Sequence, residues 1–482
     1  MLLVGIEPRA SGLHYYSGSR MPRLGLPLLL TMAEQRGHQC VIYSETAAPI
    51  DWTMVERADM LLVSSITSTM NRAYELIKHI RSGPNSRAPI LIGGPHVTFL
   101  PEEALQHGAD YVFRNEADVS FLQFLEWYEG GKSDPRALLG IRGLSLKIGD
   151  QVVHTPPADL VDLDTLPTPN LELVCGYHPQ NIPLMTSRGC PYSCEFCVEV
   201  PMFGHQYRFR SPEKVLDDLR YYDARYGRHS IFVVDDNYAA SVSRLKRLCQ
   251  EIVSQNLVRP ISGQVRLDLA KHADVMQALN LSGFNRAYIG YESINPESLA
   301  AVRKQLDVRD MEGFTRIFHR YHIAIHGMFV LGFDDDNLTT VKRTLQTCIR
   351  WSLETTQFMI LLPIPGSALY DRLNATGRIF TRDWSKYDGL HVTFHPSGMT
   401  ARQLQAAVYL DAMPRAYNLW YTCRILLADI RRTVSGAYSR RKWRPLYEFR
   451  NSVQTFLLRV WGRGVLRRLR QPIERYIHEI GN

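Results

Sequence analysis

Short apolar, β-rich runs recur along the first part of the chain, at residues 2–6, 39–43, 60–64, 89–92 and 111–113, with helical stretches between them. Continuous apolar runs suit strands buried on both faces, and strand alternating with helix argues for a parallel sheet covered by helices. Five such units predict a flavodoxin-like, doubly wound α/β fold, whose ligands bind beyond the carboxyl ends of the strands. The loops there are residues 64–68 and 93–97. Their small residues Ser65, Thr67, Gly93 and Gly94, followed by Pro95, let a large planar or phosphorylated ligand approach the backbone.

A second alternation starts near residue 182. Strand-like runs at 182–185, 231–235, 262–265, 287–292, 324–331 and 357–361 are separated by helical ones. Six strand–helix units predict a partial (β/α)6 barrel, with chemistry at the carboxyl ends of its strands. Between the two alternations lie Pro156, Pro157, Pro167, Pro169 and Pro179. Proline is excluded from helix interiors and central strands, so this stretch reads as an interdomain connection. The expected plan is 1–149, a linker at 150–180, a barrel at 181–398 and a mainly helical region at 399–482.

In that last region Val453, Phe456, Leu457, Val460 and Trp461 follow i, i+3, i+4, i+7, i+8 spacing, with Arg459, Arg463, Arg467, Arg468 and Arg470 around and beyond them. The favoured placement packs the apolar stripe on the barrel and solvates the basic face. The alternative lays a basic amphipathic helix on an anionic membrane surface.

Composition adds limits. The 482 residues are 45% hydrophobic and 22% charged, as in a globular protein. No apolar run approaches the ~20 residues of a transmembrane helix. Residues 401–482 hold 16 Lys+Arg against 5 Asp+Glu, so the net charge of +8 belongs to the tail and its partners. Clustered basic residues attract phosphate, but no nucleic-acid-binding module accompanies them, and nucleic acid is not an expected partner. The N-terminal run reads as a strand, without the marks of a secretory signal. Eight cysteines, three in one motif, suit a reducing cytosol, so the expected location is cytoplasmic, with the inner membrane surface as the tail's alternative.

The motif is Ser187-Arg188-Gly189-Cys190-Pro191-Tyr192-Ser193-Cys194-Glu195-Phe196-Cys197, on the loop after the first barrel strand. Its C-x-x-x-C-x-x-C spacing offers three close thiolates. Three thiolates hold three irons of a cubane cluster and leave the fourth open, whereas an electron-transfer cluster closes all four. A zinc site would need a fourth ligand, and neither Cys175 nor His205 makes a standard pair spacing with the trio.

This motif, with Phe196 before the last cysteine, resembles the radical S-adenosylmethionine (SAM) superfamily. The resemblance implies that Cys190, Cys194 and Cys197 bind a 4Fe-4S cluster whose open iron holds SAM, cleaved to a 5′-deoxyadenosyl radical by one electron from a donor such as flavodoxin or ferredoxin. At later strand ends it implies that Glu292 accepts hydrogen bonds from the SAM ribose with Ser293 in support. Ser293 and Asn295 before Pro296 also form a helix-start pattern. Arg266 would meet the SAM carboxylate or pair with Asp268. Asp235 and Asp236 would act structurally or on the SAM side. The run Asp334-Asp335-Asp336 lacks the ligand spacing of a calcium loop and reads as a solvated turn.

The first 130 residues are similar to the cobalamin-binding domain that precedes the radical SAM core in one large subfamily. The matching pieces are residues 22–27, the Ser65-Ile66-Thr67 loop, Gly93-Gly94-Pro95-His96 and residues 101–105. The axial-histidine motif Asp-x-His-x-x-Gly is absent, as is usual for that subfamily, and the subfamily's Gly-Glu-Gly-Glu is here Asn115-Glu116-Ala117-Asp118. His96 reads as a loop histidine near the corrin or in solvent, not a cobalt ligand. No G-x-G-x-x-G follows the first strand, which argues against a dinucleotide. The resemblance implies methylation of an unreactive carbon by way of cobalamin, and a tail able to touch a membrane hints at a small, lipid-like or pigment-precursor substrate. The alternatives are a cobalamin-using cyclase or rearrangement enzyme, and a cobalamin sensor or carrier.

Overall fold

The computed structural model describes residues 1–10, 21–131, 134–304, 306–436 and 444–480. Two sheets organise them. The first contains β1 (Leu2–Glu7), β2 (Gln39–Ser44), β3 (Met60–Ser64), β4 (Ile90–Gly93), β5 (Tyr111–Phe113), β6 (Leu144–Ile148) and β7 (Gln151–His154), in the order β2-β1-β3-β4-β5-β6-β7. Strands β1 to β5 are parallel, so the chain reverses direction across the sheet between β1 and β3, the usual ligand position of a flavodoxin-like sheet. Both faces are buried. Leu3, Leu62 and Leu91 meet Leu30 and Phe124 on one side, and Val4, Leu61 and Ile92 meet Ile77 and Met70 on the other.

All five expected strands are present, but the sheet continues past them. β6 and β7 form an antiparallel hairpin, so a division at residue 149 would cut through it. Leu144-Ser145-Leu146-Lys147-Ile148 alternates apolar and polar, and Gly149-Asp150 supplies the turn, which is a hairpin signal of its own. The proline-rich connection is also more than a spacer. Leu163 and Leu166 pack on Leu28 and Met32, and Asn170 N–H donates to Thr31 Oγ1 at 2.7 Å. Cys175 N–H then donates to Ile42 O at 2.8 Å, on the free edge of β2.

The second sheet is formed by β8 (Asn181–Leu184), then, after a two-residue ribbon of β9 (Ser187–Arg188) and β10 (Arg208–Phe209), by β11 (Ser230–Val233), β12 (Ile261–Gln264), β13 (Phe284–Glu292), β14 (Ala324–Leu331) and β15 (Thr355–Ile360). Their spatial order is their chain order, all parallel, with β8 and β15 at the two edges. This is the partial six-stranded barrel expected. Ile231, Ile289, Ile325 and Phe358 are buried against the outer helices. The alternate residues Phe232, Gln264, Tyr288, His326, Met328 and Met359 are only half-buried and share the other face.

Two expectations change here. The Asp334–Asp336 run is not a solvated turn: Asp336 is fully buried and accepts hydrogen bonds from Gly332 N–H, Phe333 N–H and Ser298 Oγ at 3.0, 3.1 and 3.2 Å. Asp334 lies 2.7 Å from both Arg372 and Arg378. Backbone amides at the end of β14 need an acceptor, and Asp336 supplies it. The tail is helical, ending in Leu419–Gly436 and Arg444–Glu479, and the second helix packs inward with Arg467, Arg468 and Arg470 exposed as expected, but the named apolar stripe does not face the protein and Arg459 does. Arg459, Leu466, Leu469 and Ile473 face the protein, while Val453, Leu457, Val460 and Trp461 are exposed.

Candidate functional site

The cysteine loop follows β8 and β9, at the carboxyl end of the barrel sheet. Cys190, Cys194 and Cys197 are all free and half-buried. Cys197 N–H donates to Cys194 O at 3.1 Å, and Glu199 N–H points at Cys197 Sγ at 3.4 Å. Burial raises all three thiols, Cys197 to about 12, so thiolates here require positive charge from a bound group. Among the described residues no three His, Cys, Asp or Glu side chains gather closely enough to hold one metal ion. A cubane assigns each thiolate its own iron, so three free, desolvated thiols on one loop fit a cluster donor set.

The neighbouring strand ends carry the residues the sequence singled out. Glu292 closes β13 at a register shift, with φ of +59°. Its Oε1 meets Lys304 Nζ at 2.9 Å, and Lys304 is the chief cation acting on Cys194. The Glu292 carboxylate folds back over Gly290, where a Cβ would displace it. Ser293 is buried and accepts from Asn295 N–H at 3.0 Å, whereas Asn295 itself caps the next helix by accepting from Glu297 N–H. Arg266 bonds Asp268 at 3.2 and 3.3 Å and lies 4.0 Å from the Tyr192 ring centroid, inside the cysteine loop. Asp235 is fully buried and accepts from Thr186 N–H, Thr186 Oγ1 and Ser187 Oγ, so it fixes the strand that leads into that loop. Asp236 hydrogen bonds Glu199, and burial together with that second carboxyl raises the Glu199 carboxyl well above the usual carboxylate range. Phe196 stands 6.3 Å from Phe333 across the same loop.

On the first sheet, the loops after β3 and β4 lie side by side. Ser65 N–H donates to Gly93 O at 3.1 Å. Gly94 has φ of +120°, and any Cβ there would run into the Ser65 carbonyl oxygen. Ser65 Oγ bonds Thr69 Oγ1 at 2.7 Å, Thr67 is buried in the turn they close, and Pro95 opens a short helix. Arg23 donates to Ser64 O at 3.0 Å and stands 3.6 Å from Glu7, spanning the carboxyl ends of β1 and β3. His96 is neither on a loop nor in solvent. It is fully buried in that helix, edge-on to Trp384 at 4.8 Å and 3.6 Å from Glu103.

An ionic clamp joins the two sheets. Arg188, two residues before Cys190, donates to Asp118 at 2.6 and 3.1 Å and to Glu116 at 3.0 Å. Arg208 on the paired strand also holds Glu116. Asn115 Nδ2 donates to Met202 O at 2.9 Å. The segment that departs from the subfamily's acidic pattern is therefore the one gripping the cysteine loop.

Family comparisons agree with this geometry. The B12 binding domain matches residues 14–125, and the Radical SAM superfamily matches residues 184–348, which hold all three loop cysteines. The chain belongs to the radical SAM superfamily and carries a B12-binding domain.

Among relatives of this radical SAM protein, an uncharacterized methyltransferase of Pyrococcus horikoshii is 27% identical over 89% of this chain and 94% of its own length. A bacteriochlorophyllide d C-12(1)-methyltransferase of Chlorobaculum tepidum is 25% identical, over 72% of each chain. An anaerobic magnesium-protoporphyrin IX monomethyl ester cyclase of Cereibacter sphaeroides is 23% identical, over 76% of this chain and 60% of its own. The solved structure of OxsB, a cobalamin-dependent SAM radical enzyme with aqua-cobalamin bound, superposes with a TM-score of 0.68 at 14% identity, covering 100% of this chain and 84% of that one, and so shares the fold. The chain is a radical SAM enzyme whose cofactors are a 4Fe-4S cluster, SAM and cobalamin.

Several residues of this radical SAM site gave no sign in the sequence. Lys304 and Tyr192 matter only because the fold brings them to Glu292 and Arg266. Arg188 sits inside the motif itself, but its partners lie about seventy residues earlier.

Proposed function

We propose that this chain methylates an unactivated carbon of a small, largely apolar substrate, and that the substrate lies on the half-buried face of the barrel sheet. The cluster and SAM supply the hydrogen-abstracting radical, and cobalamin relays the methyl group. The observation that carries the substrate class is a row of side chains crossing that face below the cysteine loop. Phe232 and Tyr288 pack edge to face at 5.2 Å, Tyr288 meets His326 at 4.8 Å, and His326 Nε2 reaches Gln357 at 3.2 Å. Met328 and Met359 lie one step nearer the loop. Aromatic and thioether surface with two mutually bonded polar groups suits an apolar ring or chain that presents one polar edge. The pigment methyltransferase among the relatives supports that class.

In this reading Cys190, Cys194 and Cys197 hold the cluster. Glu292, backed by Ser293 and poised by Lys304, holds the SAM ribose. Arg266, levelled by Asp268 and Tyr192, takes the SAM carboxylate. Ser65, Thr67, Gly93, Gly94 and Pro95 form the surface against cobalamin, and Phe196 packs behind the cluster. An external donor of the flavodoxin or ferredoxin kind delivers the electron.

The test is anaerobic. The protein is loaded with iron, sulfide and cobalamin, given methyl-labelled SAM, a reductant and candidate tetrapyrroles or lipids, and its products are weighed. Formation of 5′-deoxyadenosine, S-adenosylhomocysteine and a methylated substrate supports the reading, and Cys194→Ala must lose all three. The cyclase among the relatives keeps a second reading in view, ring formation without methyl transfer. It would turn over substrate with 5′-deoxyadenosine and no S-adenosylhomocysteine.

A further inference from the structure

On the two C-terminal helices, Leu419–Gly436 and Arg444–Glu479, one arginine is buried while several large apolar side chains are exposed. Arg459 is fully buried: it donates to Glu354 O at 3.0 Å, Thr422 Oγ1 at 3.2 Å and Ala416 O, and lies over the rings of Tyr421 and Tyr417 at 4.4 and 5.0 Å. One turn earlier Thr455 accepts from Arg286 of β13 at 2.8 Å. Tyr421 Oη donates to Cys348 O and Leu353 O, so both helices lie directly on the barrel.

The opposite faces are apolar. Of the thirteen large apolar side chains exposed among the described residues, eight are on these two helices, which marks a concentrated patch rather than scattered surface apolars. Trp420 is 65% exposed, Leu427 57%, Leu457 59% and Trp461 47%. Leu457, Trp461, Gly464 and Arg468 fall at i, i+4, i+7 and i+11, so the apolar stripe runs directly into a basic one, and Arg467 follows Val460 in the same way. Arg424 stacks on the exposed Trp420 at 5.6 Å.

We propose that this face docks on an anionic lipid surface. Charge selects the occupant. Residues 401–482 carry 16 Lys+Arg and 5 Asp+Glu. A second copy would oppose like charge with like charge, whereas an anionic bilayer complements it. Tryptophan and leucine flanked by arginine are the residues of helices that lie in the membrane interface. Among the described residues no helix is long and apolar enough to cross a membrane, so the contact is peripheral.

The test uses the full chain with its cofactors, under anaerobic flotation with vesicles of phosphatidylcholine alone or mixed with phosphatidylglycerol. Binding is expected only to the mixed vesicles, and to weaken as salt rises. Trp420→Ser combined with Trp461→Ser is expected to lower the partition coefficient tenfold or more, about the effect of losing two interfacial apolar side chains. Both side chains are exposed, so cluster absorbance and SAM cleavage should stay unchanged, which separates this result from failure of the methyltransferase reading. Absence of binding to the mixed vesicles overturns the proposal, as does binding that the double substitution leaves intact. Light scattering that shows a dimer, split by the same substitutions, would assign the face to a second copy instead. Salt-sensitive RNA binding abolished by them would assign it to nucleic acid.

Discussion

Replacing Arg188 with methionine probes the clamp between the cysteine loop and the B12-binding domain. Methionine keeps the length of the side chain and removes its charge. Three charge-assisted hydrogen bonds go, at 2.6, 3.1 and 3.0 Å. The losses are unequal. Glu116 keeps Arg208, but both hydrogen bonds described for the Asp118 carboxylate come from Arg188. Asp118 is then a buried carboxylate without a counter-charge, its side chain 5% exposed. Stranding one member of a buried pair costs about 3–5 kcal/mol. The Arg188 side chain is itself 13% exposed, so water reaches the gap and a cost near the lower end, about 3 kcal/mol, is expected. Urea unfolding of Arg188→Met, Asp118→Asn and the double variant closes a thermodynamic cycle. Asp118→Asn in the Arg188→Met background should recover a good part of the loss, because it removes the stranded charge. Turnover gives a second readout. If the clamp sets the cluster against cobalamin, S-adenosylhomocysteine formation should fall further than 5′-deoxyadenosine formation. A destabilisation below about 1 kcal/mol, or no recovery in the double variant, would refute the clamp.

Gly94→Ala should abolish cobalamin retention, seen as loss of corrin absorbance after gel filtration, since a Cβ collides with the Ser65 backbone at a positive φ; normal retention would remove that loop from the cobalamin surface. Glu292→Gln should weaken SAM binding to cluster-loaded protein about tenfold by calorimetry, the scale of a lost charge-assisted hydrogen bond, and unchanged affinity would sink the ribose assignment. Burial pushes the His326 imidazole down to about 4, so between its ordinary 6.5 and that value the unfolded chain binds the extra proton and stability falls as pH drops. From pH 6.5, where the unfolded imidazole is already half protonated, to pH 5 that is about 1.6 kcal/mol. His326→Gln should show a correspondingly smaller acid loss, and identical losses in the two proteins would disprove the burial argument.

Much of this was legible in the chain. The five parallel strands of the first sheet and all six of the barrel follow from apolar periodicity, because strands covered on both faces leave uninterrupted apolar runs. The cysteine trio stands out from spacing alone, because it sits on one short loop. What escaped depends on distance in sequence. Lys304 reaches Glu292 from twelve residues away, and Arg188 reaches Asp118 from seventy. Periodicity found the tail helix but not its orientation, since a buried Arg459 satisfied by backbone carbonyls reverses the usual rule that the apolar stripe faces the core. His96 misled for a related reason: Trp384, almost three hundred residues later, is what buries it.

The proline-rich connection bears on how the protein is made. It leaves the β7 edge of the first sheet and reaches the β2 edge, where Cys175 N–H bonds Ile42 O. A nascent chain that has released only residue 149 therefore lacks both β7 and the strap over β2, and both edges of its sheet, β6 and β2, are open to pairing with other chains. The B12-binding unit matures only once Val174 and Cys175 have left the ribosome, just ahead of the cluster loop. A fragment ending at residue 149 is therefore a poor surrogate for the domain. Ribosome-stalled chains of increasing length should resist protease only when the strap has emerged.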